Sequence, residues 1–460
     1  MSSRIAKAFE RLSTGAWVIL ALALASTACI VAWPVPPKTG MEFWVFNEVH
    51  ETTYRPFVAR WNAAHPDAQV QLHLLHIDAF ERRMLSAFTA NTPVAPILET
   101  ERRVASRSFL GPPDSVGYHD LTERLRSEGI LEKLNVPSLA PWTSRGHIYG
   151  IPHDVHPVLL CYRSDIIEAA GIDMSKIETW DDFARVLRPL MDKPDAYGHR
   201  NRYLLSGWPN NQMFVEGLLR QAGGRYFDDD EQPIVDNDIN ARALATIISW
   251  TSGPDRICTE IPEQVASGYK MRLDGVVLCS IMPDWMVGQW KTNAPDLGGK
   301  VKLMPLPAFT RGGRRTSVWG GTMMGIAKNA PDFEKAWAFA KDLYLSPRLA
   351  EELFRGTGII TPVRAHWTLP VFREPDPYFC GQPSGRLFID QAPNVPLRSS
   401  SPFERVALER VIEVAQSLQD YANGERKFTV DELFPEAKRL LGGAQSQVEA
   451  IIARNVFHPK

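Results

Sequence analysis

From residue 41 onward the apolar positions fall into short runs whose period changes, and each change marks an element. "MEFWVFN" (41–47) is a brief apolar run suited to a buried strand. Tyr54, Phe57, Val58 and Trp61 then recur at i, i+3, i+4 and i+7, the stripe of a helix that Pro66 prevents from continuing. In "AQVQLHL" (68–74), Ala68, Val70, Leu72 and Leu74 alternate with Gln and His, the period of a strand. Asp78 opens a second helix, with Glu81 three residues on at capping-box spacing, and "APILET" (95–100) is a third strand-like run. Strand, helix, strand, helix, strand predicts parallel strands with helices packed on both faces.

The theme restarts beyond residue 150. "VLLCY" (158–162) reads as a strand and "SDIIEAAGI" as a helix closed by Gly171. Thr179 and Asp182 box the start of another helix, whose Trp180, Phe183, Ala184 and Leu187 repeat the helical stripe. After residue 345 the chain becomes mainly helical: Ser346-Pro347 is a cap followed by a first-turn proline, and Thr429 with Glu432 makes a further box. No repeat of solenoid length is present. The pattern predicts two α/β lobes and a helical C-terminal part.

The first forty residues obey a different rule. Arg4, Lys7 and Arg11 precede an uncharged run from Gly15 to Trp33, and Pro34, Pro36 and Pro37 follow it. That run just reaches the roughly 17–25 residues a membrane-crossing helix needs, and the basic residues before it would keep the N-terminus cytoplasmic. Two readings stand, a signal peptide cut near Ala28 and an uncleaved anchor. "STAC" (26–29) resembles a lipoprotein box ending in Cys29, with Ser26 where a large aliphatic residue is expected. Each reading places the rest of the chain outside the cytoplasm.

Composition narrows the class. With 460 residues the chain is too long for one ordinary core. A net charge of −2 and no long basic run point away from nucleic acid. The thirteen Trp are more than packing usually asks for and suit recognition of flat or ring-shaped ligands. Cys161, Cys258, Cys279 and Cys380 have no paired spacing for zinc; a Cys258–Cys279 bridge is conceivable, though buried small apolar residues are the simpler reading.

Enzyme and cofactor signatures are missing: no G-x-S-x-G, no P-loop, no G-x-G-x-x-G, no H-E-x-x-H. "DDDE" (228–231) lacks the glycine and terminal glutamate of a calcium loop and reads as a solvated hairpin tip. One stretch does draw attention to itself. In "YGIPHDVHPVLLCYRSD" (149–165), His153, Asp154 and His156 stand between Pro152 and Pro157. The prolines predict an extended segment, in which a spacing of three puts the two histidines on opposite faces and disfavours a shared metal ion. No nucleophile motif accompanies the His-Asp pair as a catalytic unit.

These blocks together resemble the extracellular solute-binding proteins of ABC importers, family 1, the group that includes the maltose-binding protein. "FWVFNEVHETTYRPFVARWNAAHPDAQVQL" resembles the family's first strand, helix and strand, and the block from Tyr149 to Leu190 its most recognisable segment. "VWGGTMMGIAKNAPDFEKAWAFAKDLYLSP" resembles its late glycine-rich strand and helix, and "GTGIITPVRAHW" its Pro-Val-Arg segment. The resemblance runs over nearly all of residues 41–440 and implies two lobes closing as a clamp on a ligand between them. Residues 41–153 and 319–346 would form one lobe, and residues 154–318 and 347–460 the other. "IPHDVHP" would be the first crossing, Ser317–Gly321 the second and Leu345–Pro347 the third.

The resemblance also implies a site. His153 and Asp154 would face the cleft, Gly320 and Gly321 would let backbone approach the ligand, and Trp285 matches the family's cleft tryptophan. Glu48, His50 and Glu101 follow strand carboxyl ends, where ligands of parallel sheets collect. Trp208, Asn211, Trp319 and Arg364 are further candidates, whereas Trp180 and Trp337 lie on helical stripes and belong to the core. Aromatic faces beside acids and amides suit a sugar or polyol. The implied protein is no enzyme, carries neither metal nor cofactor, acts as a monomer, and works with a membrane permease and its cytoplasmic ATPase. The rival readings are a binding protein for a polyamine, phosphate ester or iron complex, and an exported carbohydrate-active enzyme using paired carboxylates such as Glu48 and Glu101.

Overall fold

The computed structural model describes residues 13–32, 40–192, 200–399 and 401–455. Two units separate, Met1–Gly40 and Met41–Lys460. In the first, Thr14–Ala32 is a single helix with exposed Leu20, Leu22 and Leu24; the expected run ends at Trp33, outside the described residues. Among the described residues no helix is long and apolar enough to cross a membrane.

The second unit is built on two five-stranded sheets. In chain order the strands are β1 (Met41–Val45), β2 (Val70–Leu74), β3 (Ile97–Glu101), a small hairpin of β4 (Thr143–Ser144) and β5 (His147–Ile148), β6 (Ile151–Pro152), β7 (Val158–Arg163), β8 (Tyr203–Ser206), β9 (Cys258–Thr259), β10 (Val277–Pro283), β11 (Val301–Pro305) and β12 (Thr322–Ile326). The first sheet has the order β2-β1-β3-β12-β6 and the second β11-β7-β10-β8-β9. As expected, β1 pairs parallel with both β2 and β3. β12 arrives late and pairs antiparallel with β3, Thr322 opposite Glu101.

Local sequence explains most of this. Helix Glu48–Ala64 turns Tyr54, Phe57, Val58 and Trp61 into the first core, and Trp337 from helix Phe333–Tyr344 joins them. The boxes at Thr179/Asp182 and Thr429/Glu432 both close, and Ser346 caps the helix beginning at Pro347. Trp180 is buried in the second core. Helices Glu404–Glu425 and Val430–Arg454 pack on each other and on Asp238–Thr251 over that core, so the helical C-terminal part completes the second lobe.

Two helix boundaries need correction. The helix after β2 starts at Ile77, capped by His76, whose Nδ1 accepts from the Asp78 amide; Asp78 is already inside the first turn. The segment after β7 is helical only over Ser164–Ile167 before turning to Gly171, which has φ 76°. The simpler reading of the cysteines holds for Cys161, Cys258 and Cys279, which are free and buried, but not for Cys380, which is exposed, and no Cys258–Cys279 bridge forms. Leu205 on β8 pairs with Cys279 on one side and Cys258 on the other, so the two cysteines stand two strand spacings apart, about 10 Å, beyond the reach of a disulfide. "DDDE" is an exposed tip closed by the Phe227–Pro233 bridge, as expected.

The chain passes between sheets from β6 to β7 through His153–Pro157, and from β11 to β12 through the segment ending in Gly320 and Gly321. The third passage lies later than the expected Leu345–Pro347: helix Pro347–Thr357 still places Leu349 in the first core, and the chain crosses after it, with Ile360 in the second. Backbone bonds tie the three passages side by side: His153 N to Thr322 O, Trp319 N to His156 O, and Val155 N to Ile360 O.

Candidate functional site

The His153–His156 stretch is not extended throughout. His156 has φ 56°, in the left-handed region that non-glycine residues seldom occupy, and this turn brings both imidazoles onto one carboxylate. Asp154 Oδ2 lies 2.8 Å from His153 Nδ1 and 2.8 Å from His156 Nε2. The other nitrogen of His156 meets Asp284 Oδ1 at 2.8 Å. A carboxylate only accepts, so both His156 nitrogens donate and the ring is an imidazolium held between two buried acids. Burial works against that charge, but Asp154 and then Asp284 outweigh it and push the His156 pKa up to about 10. Burial likewise raises the Asp154 carboxyl, and His156 followed by His153 pulls it below the usual carboxylate range.

Towards the first lobe the same chain of contacts continues. His50 and Tyr54 are four residues apart on helix Glu48–Ala64, so both reach Glu99 on β3. His50 Nδ1 is 2.7 Å from Glu99 Oε1, and the hydroxyls of Tyr54 and Tyr344 each donate to Glu99 Oε2 at 2.7 Å. The Tyr54 oxygen also lies 2.8 Å from His153 Nε2. Burial raises the Glu99 carboxyl, yet His50, His153 and Tyr54 together bring it below its ordinary value. Towards the second lobe, Asp284 accepts from the backbone amides of Trp285 and Ile360. One buried polar chain therefore runs from Glu99 in the first sheet, through the crossing, to Asp284 just past β10. Glu99, Tyr54, Tyr344 and Asp284 were not among the expected site residues. An acid inside the apolar run "ILETE" was the available signal for Glu99.

His50, Glu99 and His153 place their donor atoms within 4.8 Å of one another, a geometry compatible with a metal ion. The donors are nevertheless taken up by each other and by the two tyrosines, and Glu99 is wholly buried. Equilibrium dialysis with zinc, nickel and manganese is expected to show no stoichiometric binding that His153→Ala abolishes. A tight site lost in that variant would make the cluster a metal centre instead.

Beside this chain lies a cleft of about 370 Å³ between the two lobes. The first lobe contributes Phe46, Asn47, His50, Glu101 and Arg103 to its wall, and the second Met213, Gln264, Trp285, Gln289 and Asn293. Asp154, His156, Gly320 and Gly321 form the floor at the crossings. Trp285 is half-buried and spends its indole N–H on the Trp319 carbonyl at 3.0 Å, which leaves the ring face for other contacts. Gly320 has φ 100°, and a Cβ there would lie 3.0 Å from the His156 ring and 3.1 Å from Trp285 Nε1. Only glycine lets the floor pass so closely beneath both.

The expected residues thus separate. His50, Glu101, Asp154, Trp285 and Gly320 meet at the cleft, with His153 directly behind Asp154. Glu48 is exposed at the start of its helix. Trp319 turns into the second core, its indole against Gly217, where a Cβ would come within 2.0 Å. Trp208 lines a separate depression of about 440 Å³ with Arg256, Glu260 and Gln419. Asn211 caps helix Gln212–Gln221 by accepting from Phe214 N, and Arg364 is exposed and donates to the Glu132 carbonyl.

Comparison with known proteins places this architecture. Residues 47–347 match the family described as bacterial extracellular solute-binding protein. An arabinooligosaccharide-binding protein of Halalkalibacterium halodurans is 24% identical over 364 residues, 77% of this chain and 78% of the relative. A lactose-binding protein of Rhizobium radiobacter is 24% identical over 349 residues, 73% of this chain and 78% of its own length. Among solved structures, the sugar-binding protein MalE of Xanthomonas citri superposes with a TM-score of 0.71 at 18% identity, covering 90% of this chain and 100% of that one. The ABC substrate-binding protein Lmo0181 of Listeria monocytogenes, in complex with cycloalternan, gives a TM-score of 0.66 at 14% identity, with 90% and 99% covered. The family match spans well over half of the chain and the two-sheet clamp is shared, so the chain belongs to the bacterial extracellular solute-binding proteins.

Proposed function

We propose that this protein binds a neutral sugar or related polyol in the inter-lobe cleft and, as the extracytoplasmic component of an ABC importer, hands it to a membrane permease driven by a cytoplasmic ATPase. The observation that carries this reading is the cleft wall itself. It offers one indole face at Trp285 and the side-chain amides of Gln264, Gln289, Asn293 and Asn47. Its acids already have partners within the protein: Glu101 with Arg103, and Asp154 with His153 and His156. A sugar ring presents apolar C–H faces to an aromatic and hydroxyls to amides and paired charges, with no ionic partner required. A polyamine would need unpaired acids on this wall, and a phosphate ester unpaired arginines.

Catalysis finds less support. Glu101 accepts from the Arg103 amide as the cap of its helix, and Asp154 is saturated by two imidazoles. Neither is free to act as the general acid or the nucleophile of a glycosidase. The two named relatives bind arabinooligosaccharide and lactose, both neutral carbohydrates. The family is extracellular, which supports a place in the periplasm or on the outer face of the cytoplasmic membrane.

A thermal-shift panel tests this. Neutral mono- and oligosaccharides, polyols, polyamines and phosphate esters are each added to the folded chain. A neutral sugar or polyol at a hundredfold excess over its Kd is expected to stabilise by about 2.7 kcal/mol. A rise given only by polyamines, or only by phosphate esters, would overturn the assignment.

A further inference from the structure

Apart from the cleft lies a larger groove, about 1140 Å³, which shares no lining residue with it. Arg220, Arg225, Arg314, Arg315 and Arg398 line it. We propose that this groove binds a small oxyanion, a phosphate or carboxylate group, against the wall formed by Arg220, Arg314 and Arg398. This site is independent of the sugar cleft and of its reading.

The layer behind this groove carries a buried charge imbalance. Arg102 pairs with Glu216 at 2.8 Å, Arg398 approaches the same carboxylate at 3.5 Å, and Arg220 pairs with Glu404. All five side chains are at most one-tenth exposed, so three guanidiniums share two carboxylates in a desolvated layer. Buried charge without a full partner is costly, and a counter-ion is the direct remedy. Burial, reinforced by neighbouring Arg102, draws the Arg398 pKa down to about 9, which is how an under-compensated cation responds.

Arg220 and Arg398 are the members of this layer that line the groove; Arg220 Nε has no hydrogen-bond acceptor among the described residues, while Arg398 donates to the Gly320 and Val318 carbonyls. Arg314 and Arg315 extend the positive wall and, among the described residues, donate to backbone carbonyls: Arg314 to Arg220 O, Arg315 to Leu306 O, Ile177 O and Pro305 O. The groove's acids are engaged within their own segment. Asp229 is paired with Arg225, Asp228 accepts from the amides of its own turn at Asp230 and Gln232, and Glu231 closes that turn. Guanidiniums gathered along one groove wall match the oxygens of phosphate or carboxylate, which arginine binds in bidentate fashion.

The test is calorimetric titration of the full chain with inorganic phosphate and, separately, with malonate, at ionic strength held constant with potassium chloride. Saturable binding of at least one is expected, and the tighter of the two identifies the preferred group. Arg314→Gln should weaken that binding at least tenfold. Arg311→Gln, an exposed arginine outside the groove that pairs with Glu178, should leave it unchanged. Arg225→Gln provides a second reading should Arg314→Gln fail to fold, with the same direction expected. Absence of saturable binding by either anion would overturn the proposal. So would binding that survives both groove substitutions, or that falls equally with Arg311→Gln.

Discussion

Glu99→Ala is expected to cost this protein about 3–5 kcal/mol of stability, the range seen when one partner is removed from a buried ionic pair. Glu99 is wholly buried and takes hydrogen bonds from His50, Tyr54 and Tyr344. Alanine leaves those groups facing one another with no acceptor, so the cost is that of stranded donors more than of a lost contact. Glu99→Gln keeps one acceptor oxygen and should lose less. Denaturant unfolding measures both, and a fall in midpoint with an unchanged slope identifies the loss as one of stability.

The same chain of contacts sets a pH dependence. Glu99 and Asp154 are held below the ordinary carboxylate range. Their contribution is whole above about pH 4, near the unfolded values, and is lost as pH falls below it. His156 is raised to about 10, so its contribution is whole below about pH 6.5 and is lost as pH rises through about 10. Stability should therefore peak in mildly acidic solution and decline on both sides. Glu99→Ala should flatten the acid limb and His156→Gln the alkaline one. Limbs unchanged in both variants would show that these groups do not govern the profile.

Trp285→Ala is expected to weaken sugar binding roughly ten- to hundredfold. Aromatic contacts of this kind contribute on the order of 1 kcal/mol beyond burial, and each 1.4 kcal/mol or so is a factor of ten. The fold should largely survive, because Trp285 is only half-buried and its one hydrogen bond goes to the Trp319 carbonyl. A core tryptophan such as Trp337 behaves oppositely, losing about 3–5 kcal/mol on truncation. Affinity and unfolding midpoint must be read together. Unchanged affinity with a collapsed midpoint would return Trp285 to the core.

Much of the fold is legible in the chain because the signals are local. The apolar runs that become β1, β3 and β7, the stripe from Tyr54 to Trp61 and the two capping boxes each depend on neighbours a few residues away. The site is less legible because its partners are distant. Glu99 meets His50 across 49 residues and Tyr344 across 245, and His156 meets Asp284 across 128. No spacing rule reports such pairs. Two placements turned on single backbone choices. The left-handed turn at His156 gathers "HDVH" onto one carboxylate, against the extended geometry its prolines suggest. Gly217 opens the space that draws Trp319 into the core, although it stands beside the cleft glycines in sequence.

Isothermal titration of the wild-type chain with neutral pentose and hexose oligosaccharides addresses the central claim most directly, provided each titration is run at low and at high salt. Exposed charges separated by more than the Debye length, about 10 Å at 0.1 M salt, are largely screened, so only a charged ligand should respond strongly to salt. The account predicts one-to-one saturation by at least one neutral sugar, with an affinity that is nearly constant across the salt range and falls in Trp285→Ala. No saturable binding of any neutral sugar, alongside salt-sensitive saturation by a charged solute, would contradict it.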